Sequence, residues 1–258
     1  MDSYTKKDVA IAFSGGVDSS LLLKIACEKA ELNHTKVYAY TIHTMLHPIE
    51  ELELTADLAQ EMGAVHQVIQ VDELAEAGIE NNPVNRCYLC KKCMFTKLIT
   101  EMKMRNIHIA IDGTNLDDTK VYRPGIQALK ELGVVSPLMM AGFTKQEVRT
   151  LAAQYEIAVS DRPSVPCMAT RFPYGTKLVQ TELDKVEQME QFIKNMGFYN
   201  VRARIHDKLV RIEVDVKDIE RVLEKRTDMI SFAKKLGYDY ISVDLEGFRS
   251  GSQDLHLV

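Results

Sequence analysis

One segment constrains the fold of this chain more than any other: residues 9–20, Val-Ala-Ile-Ala-Phe-Ser-Gly-Gly-Val-Asp-Ser-Ser. A short apolar strand ends at Ser14, and a helix begins within the next few residues. Gly15 and Gly16 can adopt positive φ, which lets the backbone approach a ligand closely. The N–H groups of the turn and the positive end of the helix then converge on one point. This arrangement predicts an anion-binding site.

Two common nucleotide-binding motifs are excluded at this turn. No Gly-Lys-Ser or Gly-Lys-Thr follows the strand, so the turn is not a Walker loop. The spacing G-x-G-x-x-G is also missing, which argues against a dinucleotide-binding fold. The hydroxyl groups of Ser14, Ser19 and Ser20 add hydrogen-bond donors toward an anion. A purely structural strand–helix turn with a Ser or Asp cap is the alternative interpretation.

The first two thirds of the chain alternate strand and helix patterns. Strands are predicted over 9–13, 36–41, 65–71 and 108–112, and helices over 19–29, 50–62, 93–105 and 144–155. The last of these helices begins with a capping box formed by Thr144 and Glu147. The alternation predicts an α/β fold with a doubly wound parallel sheet. Ligands of such sheets bind beyond the carboxyl ends of the strands, where the 14–19 turn and the 112–118 loop both lie.

The pattern changes near Gly175. Two helices and three strands follow, predicted over 182–196, 217–236, 201–205, 209–214 and 240–245. We therefore expect two domains, 1–175 and a small α+β domain over 176–258, and a chain of 258 residues is long enough for both.

Charge and hydropathy limit the classes of partner that this chain is expected to bind. The formal net charge of −5 argues against a nucleic-acid partner, since such proteins usually carry a basic balance. The longest apolar stretches have only strand length, which predicts no membrane segment. The N-terminus runs directly into the first strand without a signal peptide. We therefore expect a cytoplasmic protein.

The five cysteines point to metal or redox chemistry rather than to disulfides. Their odd number in a cytoplasmic chain argues against a disulfide framework. Cys87, Cys90 and Cys93 lie within seven residues, whereas Cys27 falls on a helix and reads as a small core residue. A structural zinc site would need four ligands, which Cys93 and Cys167 could complete.

Two motifs resemble the ATP pyrophosphatases, which cleave ATP between the α and β phosphates and adenylylate a substrate. The 14–19 turn is similar to their SGGxDS loop, and Gly-Thr-Asn-Leu-Asp-Asp at 113–118 resembles the GTNxDD segment of amidating and thiolating members. The resemblance implies that Asp18 is catalytic and holds Mg²⁺, and that residues 38–43 include adenine contacts. Arg123 is a candidate clamp for the leaving pyrophosphate, and a surface or structural arginine is the alternative. The implied ATP-binding residues are Ser14, Gly15, Gly16, Asp18, Ser19, Ser20, Gly113, Thr114 and Arg123.

A third motif narrows the family. Ser-Val-Pro-Cys-Met-Ala-Thr-Arg-Phe-Pro-Tyr-Gly at 164–175, with 201–206 and Gly-Phe-Arg-Ser-Gly at 247–251, resembles the LarE family along nearly the whole chain. The resemblance implies an ATP-dependent sulfur transferase that adenylylates a carboxylate of pyridinium-3,5-dicarboxylic acid mononucleotide. The product is a thiocarboxylate used for the nickel-pincer cofactor of lactate racemase and related enzymes. A homo-oligomer, a hexamer by resemblance, is also implied.

Two sources of sulfur stay open. In one branch of the family, the cysteine that matches Cys167 gives up its own sulfur and becomes dehydroalanine. Here Cys87 and Cys90 form a C-x-x-C that, with Cys167, resembles the three-thiolate set of the cluster-bearing branch. Three thiolates would hold a 4Fe–4S cluster whose fourth iron accepts an exogenous sulfide, and the resemblance identifies no sulfide donor. Cys93 is expected to point into the following helix.

Arginines of the second domain are the candidate substrate ligands. Arg202 and Arg204 alternate along a predicted strand, so both lie on one face. With Arg171 and Arg249 they suit a substrate that carries a phosphate and carboxylates. A subunit interface with bound anions competes with this interpretation. Two other functions also remain open, a tRNA-thiolating enzyme with the same motifs and a non-catalytic regulator that binds nucleotide and metal.

Overall fold

The computed structural model describes residues 1–47, 50–162 and 166–249, except for the side chains of residues 50 and 51. The chain forms two compact units, and each contains a sheet of its own. Unit 1 consists of Met1–Ile79 and Asn85–Val165, and unit 2 consists of Glu80–Val84 and Pro166–Val258.

Unit 1 alternates strands and helices. Its elements are β1 (Val9–Ala12), α1 (Val17–Asn33), β2 (Val37–His43), α2 (Glu50–Glu61), β3 (Val65–Gln70), α3 (Glu73–Glu76), α4 (Arg86–Met104), β4 (Ala110–Ile111), α5 (Gly125–Glu131), α6 (Pro137–Met140) and α7 (Lys145–Gln154). The strand order is β3-β2-β1-β4, and every neighbouring pair is parallel. The predicted α/β fold with a parallel sheet is confirmed.

Helices cover both faces of this sheet. Val9 and Ile11 of β1 pack in one core with Leu21 of α1, whereas Ala10 packs in a second core with Leu98 and Met102 of α4. The side chains of a strand alternate between its faces, so the short β1 strand supplies both cores. The sheet is therefore doubly wound, as predicted, and the loops at its carboxyl edge are the places left for a ligand.

Helix α4 begins seven residues earlier than the predicted start at Cys93. The predicted start was wrong, because residues 86–92 belong to the same continuous helix. Asn85 is the N-cap, and neither glycine nor proline interrupts the helix before its end at Met104. The whole C-x-x-C-x-x-C run thus lies on one helix.

Unit 2 is a small α+β unit. Its elements are α8 (Gln180–Asn195), β5 (Val201–His206), β6 (Leu209–Val214), α9 (Ile219–Glu224), α10 (Arg226–Lys235) and β7 (Tyr240–Val243). β5 and β6 are antiparallel, and β7 pairs with β6 in parallel. Across the described residues, no helix combines the length and apolar character that crossing a membrane requires.

The single helix predicted over 217–236 is wrong. A 3₁₀ turn at Val216–Asp218 precedes α9, and the chain leaves helical geometry again at Lys225, with φ −92° and ψ 8°. Neither a glycine nor a proline marks this break, so the pattern contained no signal for it.

Unit 2 also includes residues outside the predicted segment 176–258. The side chain of Asn82 donates hydrogen bonds to the carbonyls of Phe172 (3.1 Å) and Pro173 (2.9 Å). The N–H of Gly175 donates in return to the carbonyl of Asn82 (3.1 Å). These bonds join 80–84 to the segment that follows residue 165, which explains why both belong to this unit.

Candidate active site

The 14–19 turn has the geometry of an anion-binding loop. Gly15 has a φ of +70°, and a Cβ there would lie 3.0 Å from Thr55 Cγ2, so no other residue fits without strain. The hydroxyl of Ser19 donates to the carbonyl of Gly16 (3.1 Å) and lies 3.3 Å from the hydroxyl of Ser14. Gly16 is the N-cap of α1 and is exposed, so the first N–H groups of the helix face outward from the turn.

A second turn packs directly against the first. A Cβ on Gly113 would lie 3.1 Å from the backbone nitrogen of Ser19 and 3.2 Å from Asp18 Cβ. Below the turn, the buried carboxylate of Asp112 accepts hydrogen bonds from the Thr114 N–H (3.2 Å) and from the hydroxyl of Ser136. The absence of a side chain at Gly113 therefore allows the 14–19 turn and the 113–118 loop to meet.

Asp18 lies at the point of contact. Its Oδ1 accepts a hydrogen bond from Asn115 Nδ2 at 3.0 Å, and its Oδ2 pairs with Lys145 Nζ. The carboxylate is half-buried, and the N-terminus of α1 stabilises its charge. The sequence analysis placed Asn115 in the 113–118 motif without pairing it with Asp18, and it did not single out Lys145.

The remaining acidic residues of the loop also have partners. Asp118 accepts a hydrogen bond from the Asn115 N–H (3.1 Å) and pairs with Arg123 (2.9 Å), the candidate pyrophosphate clamp. The Arg123 side chain is 58% exposed, so it can move to a ligand. Asp117 accepts a hydrogen bond from the backbone N–H of Lys145 (2.8 Å), which ties the loop to α7.

Lys145 is a site residue that the sequence analysis missed. It follows the N-cap of α7, where the predicted capping box of Thr144 and Glu147 is confirmed. A lysine in the first turn of a helix opposes the helix dipole, so its placement there indicates a nearby carboxylate. The unfavourable position of this lysine was the one sequence signal for the contact. It could not identify the partner, because Asp18 lies 127 residues away in sequence.

Ser20 and the 38–43 segment were also predicted to contact ATP, and parts of both are buried. Ser20 is fully buried, its hydroxyl has no partner among the described residues, and its N–H donates to the carbonyl of Gly16 (3.0 Å). A phosphate contact of Ser20 would have to come from this hydroxyl, and it stays a prediction. In the predicted adenine segment, Tyr40 is buried in the core, and Thr41 donates its hydroxyl to the carbonyl of Phe13 (2.9 Å). Both residues support the sheet beneath the turn.

Helix α4 presents its cysteines in consecutive turns. Cys87 is exposed and Cys90 half-buried, and a spacing of three residues makes them neighbours on the helix surface. The thiol of Cys90 lies 3.2 Å from the buried carboxylate of Glu73, which also accepts the N–H of Leu46 (3.1 Å). Burial and the charge of Glu76 raise the pKa of the Cys93 thiol.

A polar cluster fixes the first half of α4 to α5. Glu131 accepts hydrogen bonds from Lys92 Nζ (2.7 Å) and from the hydroxyl of Tyr88 (2.8 Å). The bonds from Lys92, Tyr88 and Gln127 lower the pKa of Glu131 to about 2. The carbonyl of Cys87 lies 3.4 Å from the position of a Cβ on Gly125, so α5 packs closely on this part of α4.

In unit 2, Arg171 supports the Cys167 segment from within. Its Nε and Nη2 bind both oxygens of Glu190 (2.8 and 2.9 Å), and its Nη1 donates to the carbonyls of Pro166 (2.9 Å) and Cys167 (3.2 Å). Burial alone would raise the pKa of Glu190, but the Arg171 guanidinium holds it below its usual value. The hydrogen-bond donors of Arg171 are therefore used within the protein and not for binding a ligand. The motif residues Ser164, Val165, Ser250 and Gly251 lie outside the described residues.

Arg204 has a buried carboxylate of its own. Its Nε and Nη2 bind Glu213 (3.1 and 3.0 Å), and its Nη1 donates to the carbonyl of Thr170. The sequence analysis missed Glu190 and Glu213. Glu190 carried a signal, because it is an acidic residue on the apolar face of α8. Glu213 pairs directly with Arg202 in the β5–β6 register.

Arg202 is a buried cation that has no carboxylate hydrogen-bond partner among the described residues of unit 2. The Nη1 of Arg202 donates a hydrogen bond to the carbonyl of the preceding residue, Val201 (2.6 Å). The guanidinium lies 4.9 Å from the centre of the Phe248 ring, and Nε has no hydrogen-bond partner among the described residues. Burial and the charge of Arg171 lower the pKa of Arg202 to about 10. The exposed side of this region carries Arg249, which pairs with Glu246 at 2.7 Å.

The buried charges of unit 2 do not balance. Arg171, Arg202 and Arg204 are buried, but the described residues of this unit include only two buried carboxylates, Glu190 and Glu213. An uncompensated buried cation is costly unless an anion binds to it. The surplus charge therefore marks Arg202 as the strongest candidate for an anion ligand in unit 2.

Comparison with known proteins agrees with this geometry. A family model described as a PP-loop domain matches residues 1–110, which include the 14–19 turn. Over 243 residues the chain is 34% identical to the pyridinium-3,5-bisthiocarboxylic acid mononucleotide synthase of Lactiplantibacillus plantarum, covering 94% of this chain and 87% of that protein. The chain belongs to the LarE family.

Two other relatives match the chain over similar lengths. An uncharacterised protein of Synechocystis sp. is 36% identical over 243 residues, which cover 93% of this chain and 90% of the relative. An uncharacterised protein of Methanocaldococcus jannaschii is 30% identical over 251 residues, covering 96% and 94%. With its PP-loop domain, this LarE family member is an ATP-utilising enzyme of the sulfur transferase class.

Proposed function

We propose that this enzyme adenylylates a carboxylate of pyridinium-3,5-dicarboxylic acid mononucleotide and converts it to a thiocarboxylate for a nickel-pincer cofactor. The observation that carries the proposal is the arrangement around Asp18, where the 14–19 turn, the start of α1 and the Gly113 turn meet. N–H groups, hydroxyls and a carboxylate there suit a polyphosphate with Mg²⁺. The L. plantarum relative is a pyridinium-3,5-bisthiocarboxylic acid mononucleotide synthase, and its name supports the proposed substrate.

The proposed reaction has two steps. An oxygen of the substrate carboxylate attacks the α-phosphorus of ATP, the bond to the oxygen bridging to the β-phosphate breaks, and pyrophosphate leaves with the bonding pair. A hydrosulfide then attacks the acyl carbon of the acyl-adenylate, AMP leaves, and a thiocarboxylate and a proton form. The N–H groups of the 14–19 turn and the exposed Arg123 stabilise the charge that develops on the pyrophosphate.

The donor set at Asp18 fits Mg²⁺. The half-buried carboxylate offers hard oxygen atoms beside a loop that can receive phosphates, and Mg²⁺ binds through one or two carboxylates together with phosphate oxygens. When bound, Mg²⁺ neutralises charge on the departing phosphates. The Asn115 amide, 3.0 Å from Oδ1, orients the Asp18 carboxylate.

For the sulfur we propose that Cys87, Cys90 and Cys167 hold a 4Fe–4S cluster. Thiolates are the ligands such clusters require, and the neighbouring positions of Cys87 and Cys90 on α4 suit two of them. A bound cluster would supply an iron with an open position for sulfide. Among the described residues, no group of three or more His, Cys, Asp or Glu side chains is placed to hold a metal ion. Donation of sulfur by Cys167 itself is the rival.

The function is tested by product analysis under anaerobic conditions. With ATP, Mg²⁺, the dicarboxylic acid mononucleotide and sulfide, we expect equal amounts of AMP and pyrophosphate, together with the thiocarboxylate. With tRNA in place of the mononucleotide, we expect no AMP and no salt-dependent binding, because the net charge of −5 offers little attraction for phosphates. AMP formation that depends on tRNA would instead identify a tRNA-thiolating enzyme.

We assign the phosphate or a carboxylate of the substrate to Arg202. Arg202→Met should raise the KM for the mononucleotide roughly 10- to 100-fold, the effect of losing one charge-assisted hydrogen bond. The folded protein should become no less stable, because the variant removes a buried cation without a carboxylate partner.

Arg221→Met is the matched control, since Arg221 also lies over an aromatic ring, 4.3 Å from that of Phe198, but pairs with Asp218. It should leave the KM unchanged. An Arg202→Met enzyme with the KM of the unmodified protein would contradict the assignment.

A further inference from the structure

The ion pair between Asp18 and Lys145 conflicts with the metal role of Asp18. Both Asp18 oxygens already have partners, Oδ1 with the Asn115 amide and Oδ2 with the Lys145 ammonium. An ammonium on Oδ2 and a metal ion on the same carboxylate repel each other and compete for its negative charge. Asp18 therefore binds Mg²⁺ more favourably once the Lys145 ammonium has moved away.

The backbone at Lys145 is fixed, but its side chain can move. The N–H of Lys145 donates to Asp117 (2.8 Å), and the Thr144–Glu147 capping box holds the first turn of α7. The side chain is 35% exposed, and a lysine stem has four rotatable bonds. A fixed base with a flexible, partly exposed stem allows the ammonium to change partners without movement of the helix.

The 14–19 turn would place a new partner, the phosphates of ATP, close to the Lys145 ammonium. The 14–19 turn, where polyphosphate is proposed to bind, begins the helix that carries Asp18. An ammonium released from Asp18 beside this turn would meet phosphate oxygens, for which lysine is an effective point charge.

We infer that Lys145 competes with Mg²⁺ for Asp18 and moves to the β- and γ-phosphates of ATP when Mg²⁺ takes its place. This inference rests on the proposed function. Lys145 thereby serves two roles: it neutralises Asp18 before the metal arrives, and it stabilises the leaving pyrophosphate afterwards. Mg²⁺ and ATP consequently bind together, since each releases the partner that the other needs.

The test is the binding of Mn²⁺, which takes the same oxygen ligands as Mg²⁺, measured by electron paramagnetic resonance without nucleotide. Lys145→Met should bind Mn²⁺ roughly fivefold more tightly than the unmodified protein, the factor expected when a partly exposed ion pair no longer competes. The same variant should form AMP on the order of 10²-fold more slowly, because one cation at the leaving group is lost. A merely structural lysine would not move the two readouts in opposite directions.

Lys24→Met is the matched control, because Lys24 lies on α1 with the same 35% exposure and pairs with Glu28 instead. It should change neither Mn²⁺ binding nor AMP formation. Unchanged or weaker Mn²⁺ binding by Lys145→Met would overturn the inference, as would AMP formation at the unmodified rate.

The double variant Asp18→Asn with Lys145→Met separates this inference from the proposed function. It should lose the Mn²⁺ affinity gained by Lys145→Met, and retention of that affinity would place the metal elsewhere and overturn the exchange. The titration needs neither the mononucleotide nor sulfide. Failure of the sulfur-transfer assay therefore leaves the Mn²⁺ result intact.

Discussion

Replacing Asp18 with alanine is expected to abolish AMP formation while the protein stays folded. Without the carboxylate, the proposed Mg²⁺ site loses its protein ligand, and the Lys145 ammonium loses its partner. Loss of such electrostatic stabilisation costs about 10²- to 10³-fold or more in rate. AMP and pyrophosphate release measured over hours gives the rate, and circular dichroism during heating reports the fold.

Glu28→Ala is the control for this prediction, since Glu28 is another carboxylate of α1 that pairs with a lysine. It should form AMP at the unmodified rate. The Asp18→Ala protein should melt close to the unmodified one, because an acidic residue in the first turn of a helix contributes only about 0.3–1 kcal/mol. AMP formation by Asp18→Ala at near the unmodified rate would refute the metal role.

The second large effect concerns the fate of Cys167 during turnover. If three thiolates hold a cluster, one protein should make more than one product when sulfide is supplied, and Cys167 should keep its sulfur. The sacrificial rival allows one turnover and removes about 34 Da from Cys167, the mass of H₂S leaving a cysteine. Mass spectrometry after turnover, with iron and acid-labile sulfide analysis of anaerobic protein, distinguishes the two.

Variants of α4 strengthen this test. Cys87→Ser and Cys90→Ser should each lose iron and multiple turnover, whereas Cys93→Ser should retain both. Cys93 is the matched control because it lies one turn further along the same helix, and burial and the charge of Glu76 raise its pKa. Wild-type turnover by Cys87→Ser, together with dehydroalanine at position 167, would establish the sacrificial route instead.

The features that the sequence predicted well are those fixed by neighbouring residues. The 14–19 turn could be predicted because strand, glycines and helix start follow one another within a dozen residues. The capping box at Thr144 is equally local, since its two side chains lie three residues apart. Alternation of such segments was sufficient for the α/β sheet.

The features that were missed depend on residues distant in sequence. Lys145 reaches Asp18 across 127 positions, and Arg171 meets Glu190 across 19. Reading Arg171 and Arg204 as substrate ligands therefore ignored the buried carboxylates that pair with them. Only the tertiary structure shows that Arg202 is left with the surplus charge.

Because the cysteines of α4 lie on a helix that is held by other residues, the stability of the fold does not depend on whether their thiols are reduced, oxidised or bound to metal. Leu98 and Met102 anchor α4 in the core, and Tyr88 and Lys92 hold its first half to Glu131. None of these contacts needs a metal, in contrast to small zinc domains that unfold without one. Protein purified in air should therefore be monodisperse and melt cooperatively even when its sulfur chemistry is lost. If the proposed cluster carries the sulfur, solubility and thermal stability are poor guides to whether a preparation is active, and activity should be measured on samples handled without oxygen.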